Sequence, residues 1–193
     1  MGRPLRALAL LLLVAACGGQ RSYEAPRELD DACRILGERP AYARAFRATE
    51  DRWGVPVAVQ MAMMWQESKF VANARPPHRY ALGVIPMGRA SSAYGYSQAL
   101  DGTWEEYVAE EGRARRDDIG AAADFMGWYL ADSAEMLGIP LSDVENHYLA
   151  YHEGRTGYAR QSYLEKAWLM RVAADLEGRA AMYDSQLATC GMA

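Results

Sequence analysis

The chain has 193 residues, 51% of them hydrophobic and 24% charged, which suits one globular domain with a sizeable core and excludes a disordered chain. Its net charge is -4, and Lys and Arg are spread along the sequence rather than clustered, so nucleic acid is not expected as a partner.

At the N-terminus, Arg3 and Arg6 precede an apolar run from Leu8 to Ala16 that ends in small residues and Cys17. A basic start followed by a short apolar stretch is the pattern of an export signal. The run is too short to cross a hydrocarbon core of ~30 Å, which takes about 20 helical residues. "LVAAC", residues 13 to 17, resembles a bacterial lipobox, which implies an acylated Cys17, a signal peptide over residues 1–16 and a membrane tether over 17–27. Residues 28–193 remain for the domain. Cys33 and Cys190 lie near its two ends, and in an exported chain they invite a disulfide, with buried free thiols as the alternative. Such a bridge closes a loop of about 157 residues, worth on the order of 4 to 5 kcal/mol in the chain-entropy model.

The reading along the domain is mostly helical, since no stretch alternates with period two for long enough to suggest a sheet. A first helix is expected from Pro26 to Leu36, stopped by Gly37, and a second from Ala41 to Trp53, closed by Gly54. Pro56 suits the first turn of a third helix running to Glu67. Residues 71–97 hold three prolines and three glycines and read as a long loop, a kind of segment that usually serves function. "TWEE" at Thr103 to Glu106 fits a capping box for a helix to Glu111, and Asp118 to Leu137 fits a long helix before Gly138. "SDVE" at Ser142 to Glu145 repeats the capping signal ahead of "NHYLAYHEG", and Ser162 to Met182 fits a last amphipathic helix.

The third helix, "VAVQMAMMWQES", has apolar residues on every face, as a helix inside a domain does, yet it ends on Glu67. Met63 and Met64 precede Glu67 by four and three residues and share its face, with Trp65 close by. Loss of water on that side raises a carboxyl pKa, and the negative end of the helix dipole pushes the same way. Glu67 is thus a candidate general acid near neutral pH, with a solvated helix end as the bland alternative.

Three short motifs follow in order: "QES" at Gln66 to Ser68, "GYSQ" at Gly95 to Gln98 and "AYHEG" at Ala150 to Gly154. Together they resemble the Glu-Ser, Gly-Leu-Met-Gln and Ala-Tyr-Asn-Ala-Gly motifs of the soluble lytic transglycosylase family, over about residues 45 to 160. The resemblance implies an all-α, lysozyme-like fold and cleavage of the MurNAc-GlcNAc bond of peptidoglycan with formation of a 1,6-anhydro ring. It gives Glu67 the role of single catalytic acid and base. It places Ser68, Gly95, Tyr96, Gln98, Tyr151 and His152 at the substrate, with the Tyr151 phenol near the Glu67 carboxyl group. Tyr96 and Ser97 depart from the usual Leu and Met, and His152 and Glu153 from the usual Asn and Ala.

Two rival readings stay open. A hydrolytic muramidase needs a second carboxylate, for which Glu153 and Asp101 are the candidates. A peptidoglycan-binding lipoprotein would keep the fold without the activity. The "HE" at His152 and Glu153 lacks the second histidine of HExxH, Thr156 standing in its place, so no metal and no cofactor is expected. The expected partners are glycan strands and, through the lipid, a membrane. The chain is expected to be a monomer on the periplasmic face of the outer membrane, because Gly18 is not the aspartate associated with inner-membrane retention.

Overall fold

The computed structural model describes residues 23–192. The expected signal peptide, Cys17 and the first part of the tether lie outside the described residues. Within them the fold is mainly α-helical, with seven α-helices and one short hairpin. The helices are α1 (Ala32–Glu38), α2 (Pro40–Trp53), α3 (Val57–Ser68), α4 (Asp101–Glu111), α5 (Ile119–Leu137), α6 (Val144–Ala159) and α7 (Ala167–Thr189).

Helix α3 is the axis of the core. Its residues from Val57 to Met64 are all buried, and α2, α5, α6 and α7 pack around it. Burying a side chain the size of Met61, Met63 or Met64, all fully buried here, stabilises by roughly 1.5–3 kcal/mol. Gln60 is the one polar residue in this run, and its amide explains why it is tolerated. Nε2 donates to the carbonyls of Phe46 (2.9 Å) and Val55 (2.8 Å), tying α3 to α2 and to the turn that leads into it, while Oε1 meets no protein donor. Helices α2 and α5 approach closely at Gly127, where an added Cβ would lie 2.4 Å from Thr49 Cγ2.

Several boundaries differ from the expected ones. Helix α1 begins at Ala32 rather than Pro26, because Asp31 accepts from the Arg34 N–H (2.9 Å) and caps it; Gly37 then falls inside the helix. Helix α4 begins at Asp101 with "TWEE" inside it, so Thr103 does not cap; Asp101 sits in the first turn, where the dipole favours an anion, and pairs with Arg116 at 2.6 Å. Asp143, not Ser142, caps α6. Ser162–Glu165 form a 3₁₀ turn, and α7 starts only at Ala167 and runs on to Thr189.

The segment 71–97 is not wholly a loop. It contains β1 (His78–Ala81) paired antiparallel with β2 (Ile85–Arg89), in the register Tyr80↔Pro86 and Ala81↔Ile85. Nearly all of this hairpin is exposed on both faces, so its sequence has no buried face to alternate with and carries no period-two signal.

The ends of the domain are joined. Cys33 and Cys190 form the disulfide, their Cα atoms 6.4 Å apart. Gln186 on α7 reinforces it, accepting from the Ala32 N–H (2.8 Å) and donating to the Asp30 carbonyl (2.9 Å). Chain upstream of α1 also lies on the domain, with Pro26 buried and the Ala72 N–H donating to the Tyr23 carbonyl at 3.3 Å.

Candidate active site

Glu67 stands in the last turn of α3, partly buried. The chain leaves the helix through two consecutive left-handed residues, Lys69 (φ 52) and Phe70 (φ 61). Such conformations are uncommon outside glycine and cluster where surrounding structure forces them. Here Phe70 is driven into the core, where Tyr42 stacks on it at 6.0 Å between ring centroids. That turn stops α3 one residue after Glu67 and keeps the carboxyl group at the protein's edge rather than in mid-helix.

Burial pushes the Glu67 carboxyl up to about 8 from an ordinary 4.5, with the positive charge of Lys69 only partly opposing it. Met63 and Met64 are fully buried on the side leading to it. Trp65 does not belong to that wall. Its ring faces α7, with the Lys69 ammonium 3.0 Å and the Arg179 guanidinium 3.4 Å from its centroid. Ser68 is buried, and its hydroxyl donates back to the Met64 carbonyl at 3.2 Å. With its proton on Met64, the hydroxyl can meet a substrate only as an acceptor.

The second motif is a turn held by its own polar groups. Gly95 has φ 83, and a Cβ there would lie 2.2 Å from the Arg116 carbonyl oxygen, so only glycine fits without displacement. Gln98 donates through Nε2 to the carbonyls of Ala74 (3.0 Å) and Gly95 (2.8 Å), which leaves its amide oxygen for other partners. Tyr96 is buried, and its hydroxyl meets the Tyr42 hydroxyl at 3.1 Å. As placed, Tyr96 is a core residue that anchors the turn.

The third motif lies on α6, which kinks at Gly154 (φ 72, ψ 155), a conformation open essentially to glycine. The Tyr151 hydroxyl donates to the Ser97 carbonyl at 2.6 Å, so it fastens the second motif to α6 instead of holding Glu67 directly. Burial and the nearby Glu67 charge nevertheless push the Tyr151 phenol well above its usual range, and Tyr148 is pushed the same way by the same causes. Both rings therefore stand in the field of the carboxyl group. A depression of about 230 Å³ is lined by Gln98, Phe125 and Tyr129 together with Tyr151, His152, Glu153 and Gly154. Glu67 does not line it; Tyr151, which does, stands in the field of Glu67.

His152 is part-exposed, with Nδ1 2.9 Å from Glu153 Oε1 and its ring edge-on to Trp168 at 5.2 Å. The Glu153 side chain, only 4% exposed, also receives the Lys166 ammonium at 2.6 Å and a short bond from the Ser162 hydroxyl. These donors, Lys166 first, hold its carboxyl down at about 2. Glu153 and Glu67 thus differ in kind: near neutral pH one is a charged carboxylate held by three donors, and the other is dehydrated and holds its proton. Asp101, the other candidate second carboxylate, is paired with Arg116.

Three supporting residues escaped the sequence reading. Lys69 is lowered to about 8 by burial and by Arg179 while sharing the field of Glu67. Arg116 donates to the carbonyls of Ser92 (3.2 Å) and Ala99 (3.1 Å) and staples both ends of the second-motif turn. Lys166 neutralises Glu153 from 13 residues downstream. Only Lys69, adjacent to the first motif, could have been picked out from spacing.

The sequence profile of the family described as transglycosylase SLT domain matches residues 5–190 of the chain. No match is found among the curated proteins.

Proposed function

The chain belongs to the transglycosylase SLT domain family, whose activity on peptidoglycan is of the lytic transglycosylase type, and from that premise we propose that Glu67 is its single acid and base. The observation that carries this reading is the contrast between the two glutamates. Glu67 keeps its proton to about pH 8, whereas Glu153 is ionised and occupied by Lys166, Ser162 and His152. A group that retains a proton near neutral pH can give it to a leaving oxygen.

In the proposed cycle, the Glu67 carboxyl group protonates the glycosidic oxygen between MurNAc and GlcNAc as that bond breaks. The MurNAc N-acetyl oxygen supports the developing positive charge from within the substrate. The Glu67 carboxylate then takes the proton of the C6 hydroxyl as that oxygen closes onto C1, which gives the 1,6-anhydro ring and restores the acid. No water enters. The muramidase alternative needs a second carboxylate free to act on water or sugar; the ion pairs of Glu153 and Asp101 weigh against it.

The depression between the second and third motifs supports a glycan site next to Tyr151, with Gln98 and His152 as its polar groups and the half-buried Tyr151 as a ring for a sugar face. The lipobox-like "LVAAC" supports a Cys17 lipid anchor that would hold the enzyme at the periplasmic face of the outer membrane, close to its polymer.

The test is a peptidoglycan digest read by mass spectrometry. The expected products end in 1,6-anhydroMurNAc, and Glu67→Gln lowers their release by about 10²–10⁴-fold. Products heavier by one water would assign the reaction to a muramidase. A wild type that binds sacculi without releasing fragments would make the protein a binding module.

A further inference from the structure

The hairpin β1–β2 has no role in the chemistry above, yet its turn carries the two most exposed large apolar side chains among the described residues. Leu82 is 90% and Val84 77% exposed at its tip, and Tyr80, Ile85 and Met87 are at least half exposed beside them. Soluble domains rarely group such residues without a partner for them. From residue 71 to 100 the sequence contains no Asp or Glu, while Arg75, Arg79, Arg89 and His78 flank the apolar tip, in a chain whose net charge is -4.

The place of the hairpin matters as much as its composition. The described chain begins at Tyr23, whose carbonyl accepts from the Ala72 N–H at 3.3 Å, at the root of the same segment that carries the hairpin. Cys17 is six residues upstream of Tyr23, and six residues span at most about 20 Å. A lipid on Cys17 would therefore enter its leaflet within about 20 Å of Tyr23, which is bonded to Ala72 six residues ahead of the hairpin.

We propose that the hairpin is a second membrane contact: its Leu82–Ile85 tip enters the interfacial region of an anionic phospholipid leaflet, and Arg79 and Arg89 meet the headgroups. An apolar tip ringed by basic side chains is the composition that interfacial binding selects, through buried apolar area and attraction to anionic lipid. The tip itself, Ala81 to Ile85, carries no polar or aromatic side chain to hold a sugar. A second copy of the chain is a poor fit, since stable interfaces bury about 1,200–2,000 Å², far more than one hairpin tip supplies. The contact would restrain the domain against the leaflet instead of leaving it free to tumble on a tether. It does not depend on which chemistry Glu67 performs.

The full chain bearing Leu82→Cys, labelled with an environment-sensitive dye, is mixed with vesicles of phosphatidylglycerol and phosphatidylcholine that carry a nitroxide on the lipid acyl chain. Met136→Cys, an exposed site on α5, is the control, and the parent protein supplies the background. The expected result is quenching at position 82 at least about fivefold stronger than at 136, falling when the anionic lipid is left out or salt is raised. The same measurement on chains that also carry Cys17→Ser separates the hairpin from the anchor. If quenching at 82 persists there, the hairpin binds by itself. If attachment is lost with Cys17 but position 82 is quenched whenever the chain is attached, the hairpin is a contact secondary to the lipid, as proposed. Equal quenching at 82 and 136 on attached protein overturns the proposal, as does shielding of position 82 by glycan strands but not by vesicles.

Discussion

Glu67→Gln should stabilise the protein, and increasingly so as pH rises. The carboxyl group titrates near 4.5 in an unfolded chain and is held up to about 8 in the fold, chiefly by burial. Between those values the unfolded chain releases the proton while the folded chain retains it, so the folded state binds more protons and wild-type stability falls as pH climbs through this window. Each tenfold difference in proton affinity is worth about 1.36 kcal/mol, so the gap from 4.5 to about 8 sets a ceiling of about 5 kcal/mol. Glu67 is partly exposed and shares its field with Lys69, so a rise of roughly 2–4 kcal/mol is the working expectation.

A glutamine is neutral at every pH and does not follow that fall. The assay is urea or guanidinium unfolding of wild type and variant at intervals from pH 4 to pH 9, read as the difference between them. Subtraction removes every group the two proteins share. The difference should be flat below about pH 4.5, grow through pH 6 and 7, and level off above about pH 8. A difference that stays flat across the whole range would mean an ordinary, solvated carboxyl group, and Glu67 would have no proton to give near neutral pH. The basic limb of the activity profile should sit in the same region near pH 8, because loss of the proton removes the acid.

Glu153→Gln should leave 1,6-anhydro products forming within a few-fold of wild type, because this carboxylate is bonded to Lys166, Ser162 and His152; a loss of 10²-fold or more would make it a catalytic partner. The same variant should be less stable by about 1–3 kcal/mol at neutral pH, a difference that denaturant melts should show disappearing as pH falls from about 4.5 towards 2, since the folded-state value is depressed. Gly95→Ala should cost roughly 2–5 kcal/mol in the same melts, from left-handed strain and from a Cβ forced onto the Arg116 carbonyl, and should slow glycan cleavage as the Gln98 turn shifts. Cys33→Ser should lower stability by about 2–5 kcal/mol, a loss that reduction of the wild type should reproduce, because the bridge closes a span of 157 residues.

What the sequence determined follows from patterns that repeat along the chain. The burial of α3 was legible because apolar residues on every face of a helix leave no side for water. The ends of α2 and α5 were legible because Gly54 and Gly138 both stand in the left-handed conformation that closes a helix. Glu67 stood out only when its apolar run was read together with the motifs downstream, and the disulfide was one of two readings of Cys33 and Cys190 in a chain expected to be exported. Where several local signals competed, only structure chose: Asp31, Asp101 and Asp143 start helices that Pro26, Thr103 and Ser142 might equally have started on paper. The exposed hairpin gave no signal because period two is visible only when one face is buried.

The tertiary structure alone decided what each motif side chain touches. Tyr151 reaches Ser97 across 54 residues, Tyr96 meets Tyr42 in the core, and Lys166 and Ser162 close on Glu153. No spacing rule reports such contacts, since they join elements whose separation along the chain is unrelated to their distance in space. The same is true of the proton on Glu67. Its identity as a glutamate is a fact of sequence, but its hold on a proton near neutral pH depends on how much water the packed helices leave around it.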